Sequence, residues 1–119
     1  MNPSQLHAAL SNASLFFLAL SGALGLASLL FQGRVSPTYK GVLVVGEILL
    51  VAVALVGLLA WTQGRGPGAL HFLYAALSVL AFPGIFAFTR GGMGRREALL
   101  YALASFVMIG FIIRAGQTS

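Results

Sequence analysis

The chain has 119 residues, 59% of them hydrophobic and only 8% charged, with a mean hydropathy of +0.96. A water-soluble domain carries about 25% charged residues, so a soluble fold is excluded and the expected solvent is lipid. There is no cysteine, which removes disulfides, thiolate metal sites and thiol redox chemistry, and with them the small four-helix membrane enzymes that shuttle disulfides. The net charge of +5 does not point to nucleic acid, because the cations sit in short loops between apolar spans and form no stripe with interleaved aromatics. They read as topology signals and contacts to anionic lipid.

A spanning helix needs roughly 20 mostly apolar residues, and four stretches qualify, at about 6–31, 41–61, 69–89 and 96–114. In lipid the backbone must satisfy its own hydrogen bonds, so these are helices. The expected fold is all-α: one domain over 1–119, a four-transmembrane-helix bundle running antiparallel, up-down-up-down.

The first stretch, "MNPSQLHAALSNASLFFLALSGALGLASLLF", lacks the basic start of a signal peptide and is longer than a signal's apolar region, so it is expected to be retained. His7, Ser11, Ser14, Ser21, Gly25 and Ser28 fall on a single helical stripe, opposite a face of Leu and Phe. Small and hydroxylated side chains let helix backbones approach. A packing seam is the plainer reading of this stripe, a substrate groove the other.

"GVLVVGEILL" opens the second span and places Glu47 in an apolar run that continues to Trp61, with Lys40 the nearest cation. An ionised carboxylate at that depth is costly, so Glu47 is expected to be either neutral or met by a donor such as Tyr101, Ser28, Lys40 or Arg90. It is a structural hydrogen-bonding group or a proton-handling one. In the third span, "GALHFLYAALSVLAFPGIF", His71, Tyr74 and Ser78 share a face, and Pro83-Gly84 is expected to kink the helix. The fourth follows a basic turn, "TRGGMGRRE", whose Glu97 suits the dipole of the first helical turn.

Arg34, Lys40, Arg90, Arg95 and Arg96 belong to loops on one side, Arg65 and Arg114 to the other. The positive-inside rule then puts both termini outside the cytoplasm of a multi-pass protein of the cell membrane, with Trp61 at the outer interface. Polar groups fall into two layers. His7, His71, Tyr74, Trp61 and Arg114 lie near the outer face, and Ser28, Glu47, Tyr101 and Ser105 toward the inner face.

The two histidines open the first and third spans. A b-type haem between helices needs one imidazole from each, at matching depth, with donors for its propionates. His7 and His71 are the candidate ligands, with Tyr74 and Arg114 completing a cofactor-binding set for haem or a quinone. Their depths are expected to match poorly. His7 stands 24 residues from Phe31 and His71 17 residues from Phe88, which is about 10 Å of difference at 1.5 Å per residue. The plainer alternative leaves these side chains among the lipid headgroups.

Early His7, the "YKGVLVVGEILL" and "HFLYAALSVLAFPG" helices, the "RRE" turn and the terminal "IIRAGQT" together resemble small four-helix bacterial membrane proteins known as uncharacterised open reading frames, over nearly the whole length. The chain is also remotely similar to minimal membrane b-type cytochromes, although those families carry their histidines deeper in the helices and usually have four. In length and helix count it resembles the small multidrug resistance transporters, whose membrane-embedded Glu lies in the first helix and not, like Glu47, in the second.

Three function classes follow. The leading one is a non-catalytic accessory or structural subunit of a larger membrane complex, partnered by lipid, by other membrane subunits or by a second copy, with no nucleic acid. The second is a haem- or quinone-binding redox protein using His7, His71, Tyr74 and Arg114. The third is a proton-coupled transporter in which Glu47 switches, with Tyr101 and Ser28 nearby. A hydrolase is disfavoured, since there is no Asp, and the Glu and His residues are read onto opposite sides of the membrane.

Overall fold

The computed structural model describes residues 2–62 and 68–118 and contains four long helices: α1 (Pro3–Gln32), α2 (Pro37–Thr62), α3 (Ala69–Phe88) and α4 (Arg95–Thr118). All four are long and apolar enough to cross a membrane, as a multi-pass membrane protein requires. The turn "TQGRGPG" with Arg65 lies largely outside the described residues.

Three helix ends fall beyond the stretches expected from hydropathy, and local chemistry explains two of them. Asn2 caps α1 by accepting from the Gln5 backbone nitrogen at 2.8 Å, while the Gln5 side chain accepts from the Asn2 nitrogen at 3.2 Å. This reciprocal capping box starts the helix at Pro3, where a missing N–H costs nothing. α2 starts at Pro37 and not near 41, because the Ser36 hydroxyl accepts from the Tyr39 nitrogen at 3.1 Å and Pro37 takes the first helical position. α4 runs past the expected stop near 114 to Thr118.

The helices form a ring in which α1 packs on α2 and α4, α3 packs on α4 and more thinly on α2, and among the described residues the backbones of the diagonal pairs α1/α3 and α2/α4 stay apart, so only side chains bridge them. The small-residue stripe of α1 lies inside this ring: Ser14, Ser21, Gly22, Gly25 and Ser28 are buried. A Cβ on Gly22 would come within 2.6 Å of the Phe106 ring, and one on Gly25 within 2.9 Å of the Ala102 Cβ. These glycines therefore set how closely α4 and Tyr39 of α2 can approach. Ser105 donates to the Tyr101 carbonyl at 2.9 Å, so its one proton is committed, and the 3.0 Å contact between the Ser21 and Ser105 hydroxyls has Ser21 as donor. Outward faces carry Phe16, Leu30, Phe31, Leu55 and Phe88, all exposed as lipid-facing side chains should be.

Two connections meet at one end. Gly33, in the left-handed region at φ 65°, ends α1, and the Val35 nitrogen then donates to the Met93 carbonyl at 2.8 Å, joining the α1–α2 and α3–α4 turns. α3 is continuous through Pro83.

Candidate functional site

Two places draw together polar residues of the two layers, while Ser28 and Ser105 lie apart from both. At the first, His7 from α1 and His71 from α3 reach toward each other across the diagonal that the helices themselves leave open, their ring centres 6.4 Å apart and planes inclined at 61°. The expected depth difference of about 10 Å does not keep them apart. A residue count treats helices as parallel rods, whereas helices in a bundle tilt and each imidazole is carried several ångströms from its backbone.

Both rings are held in the same way. The His7 Nδ1 bonds the Val53 carbonyl of α2 at 3.0 Å, and the His71 Nδ1 bonds the Ala115 carbonyl of α4 at 2.6 Å. A carbonyl only accepts, so in each ring Nδ1 carries the proton of this bond, and the lone pair of a neutral ring would then lie on Nε2. This is the arrangement of metal-ligating histidines, whose second nitrogen is tied to a carbonyl that fixes tautomer and orientation. Gly57 makes room for the His7 ring, since a Cβ there would lie 2.8 Å from its Cε1. Trp61 and Phe72 meet edge-on at 5.1 Å beside His71.

Tyr74 is half-buried one turn along from His71 and packs at 6.1 Å on Phe111. Arg114 is exposed, donates to the Gln117 side chain at 3.1 Å, and adjoins in sequence the Ala115 carbonyl that holds His71. Among the described residues no cluster of three or more His, Cys, Asp or Glu side chains could hold a bare metal ion. Two imidazoles that share one metal stand roughly 6 Å apart centre to centre, given metal–nitrogen bonds of about 2 Å, and the spacing of the His7 and His71 rings is of that size.

The second place is a cavity of about 180 Å³ among α2, α3, α4 and the α3–α4 turn, lined by Glu47, Tyr101, Lys40, Phe82, Pro83 and Phe86 among others. Glu47 Oε1 is buried here and has no hydrogen-bond partner among the described residues. Tyr101 shares the cavity wall, its ring packing on Phe82 at 6.0 Å, and no hydrogen bond joins its hydroxyl to Glu47 Oε1. Lys40 makes no ion pair with Glu47 among the described residues, whereas Arg96 pairs with Glu97 at 3.7 Å. Ser28 does not line the cavity. It clamps the α1–α2 turn, donating to the Arg34 carbonyl and accepting from the Ser36 nitrogen at 3.1 Å.

Sequence reasoning did not find Gly57, Val53 or Ala115. A glycine inside the apolar run of α2 was a usable signal for close approach, whereas a backbone carbonyl leaves no trace in the choice of residue. Comparison with protein-family models, curated proteins and solved structures gives no match.

Proposed function

We propose that this small membrane protein holds a b-type haem between the imidazoles of His7 and His71. One observation carries the reading: two imidazoles from diagonal helices, each with Nδ1–H tied to a backbone carbonyl and Nε2 left for ligation, stand 6.4 Å apart. Haem, when bound, supplies one-electron transfer. The Val53 and Ala115 carbonyls fix the orientation of both rings. Gly57 keeps the His7 side open, and Arg114 is a cation at this end that would face a propionate, with Arg65 in the α2–α3 connection on the same side by sequence.

The same reading has the spans alternating in direction, with both termini on the non-cytoplasmic side of the cell membrane. The Val35–Met93 bond supports it by bringing together two turns that carry Arg34 and Arg90, with Lys40, Arg95 and Arg96 in the adjoining first helical turns. An accessory subunit was the leading expectation from sequence. The α1 stripe that favoured it is buried by the chain's own α2 and α4, so partner subunits or a second copy would have to dock on lipid-facing side chains such as Phe16 and Phe31.

The test is an absorption spectrum of protein purified in mild detergent from haem-sufficient cells. We expect a Soret band, close to one haem per chain, and its loss in His7→Ala and in His71→Ala. Folded, full-length protein that stays colourless after incubation with haemin would overturn the proposal.

A further inference from the structure

The cavity at Glu47 is separate from the histidine pair and plays no part in holding haem. We propose that it binds the head of a neutral, lipid-soluble aromatic diol of the quinol class, one hydroxyl donating to the Glu47 carboxyl. Five observations lead there.

Glu47 Oε1 is a buried acceptor with no partner among the described residues, so it lacks a donor that a ligand hydroxyl would supply. The cavity measures about 180 Å³, comparable with the roughly 150 Å³ apolar cavity that takes up benzene. Its walls are suited to a flat ring, with Phe82, Phe86 and Tyr101 beside Leu43 and Met93. Lys40 also lines it, and a fixed cation disfavours a cationic guest while leaving a neutral one unaffected. Val44 and Phe86 line the cavity and are also 53% and 55% exposed, which marks an opening toward the acyl phase along the thin α2/α3 seam. A guest dissolved in the membrane is therefore favoured over one from water.

The site needs no haem, so its test stands apart from the spectrum described above. The protein is reconstituted in nanodiscs under argon, and saturation-transfer NMR is recorded with duroquinol and with durene, the same ring without hydroxyls, against protein-free nanodiscs. We expect saturable contact for duroquinol that weakens about tenfold in Glu47→Leu, the loss of one hydrogen bond. We expect the same affinity in His7→Ala. Val44→Trp, which fills the cavity from its lipid side and does not depend on the Glu47 variant folding, should abolish binding with helicity unchanged. Equal binding of durene, undiminished binding in a folded Glu47→Leu or Val44→Trp variant, displacement of duroquinol by phenyltrimethylammonium at lower concentration, or the absence of saturable contact would each overturn the proposal.

Discussion

Ser21 of α1 and Ser105 of α4 are fully buried with their hydroxyls 3.0 Å apart, a polar contact placed midway along the most closely packed helix pair. Because Ser105 already donates to Tyr101, the contact depends on a proton from Ser21. In a double-mutant cycle of Ser21→Ala and Ser105→Ala, unfolded from bicelles with SDS, the coupling energy should be about 0.6 kcal/mol and under about 1.7 kcal/mol, the range for hydroxyl bonds between membrane helices. A coupling of zero would mean that the hydroxyls merely fill space.

Packing along the same face should be far less forgiving. Gly22→Ala and Gly25→Ala each place a methyl within 3 Å of α4 side chains, and should destabilise by about 1–3 kcal/mol, as overpacking does. Gly41→Ala and Gly110→Ala, where an added Cβ meets nothing within 4 Å, should be neutral or stabilising, since alanine is the better helix former. Thermal unfolding of the four variants in one detergent makes the comparison.

Much of this packing was legible in the residues, and the reason is periodicity. The 3.6-residue spacing of Ser14, Ser21, Gly25 and Ser28 marks one face of a helix whatever that helix touches, and those side chains are buried. Helix starts were less legible: Ser36-Pro37 looks like a loop dipeptide unless the hydroxyl is seen capping Tyr39. Tertiary reach was not legible at all. The approach of His7 to His71 depends on tilt and side-chain length, and the clamp formed by Ser28 depends on how the turn after Gly33 folds back. Tyr101 reached the cavity of Glu47 as depth suggested, but its hydroxyl does not bond the buried Glu47 Oε1.

Gly57→Ala offers a sharper probe of the histidine pair than removal of a histidine. Its methyl would press on the His7 ring from 2.8 Å, displacing a ligand without deleting it. Haem affinity should fall about 10–100-fold, as it does when the support of a metal ligand is disturbed, while helicity is retained. Titration of apoprotein with haemin measures the change, and unaltered affinity would show that the ring has room to yield.

Arg90 has φ 53°, in the left-handed region where a side chain on an ordinary residue is strained. Arg90→Gly should stabilise the protein by about 1 kcal/mol, measured as a raised SDS midpoint. It also removes one of the cations that set orientation.

The absence of native cysteine makes that orientation directly measurable. A single cysteine at Arg34 should react with an impermeant maleimide only in inverted vesicles, and one at Asn2 only in right-side-out cells. The reverse pattern would invert the assignment of the termini.

The uneven ring of contacts carries a last implication for traffic through the molecule. Where α1 and α4 interlock, the bundle has no room to part, but α2 leans only lightly on α3, and the wall there is formed by Val44 and Phe86, both open to the surroundings. A guest would slip in sideways between those two helices, straight from the acyl chains, and would come and go without meeting either aqueous compartment.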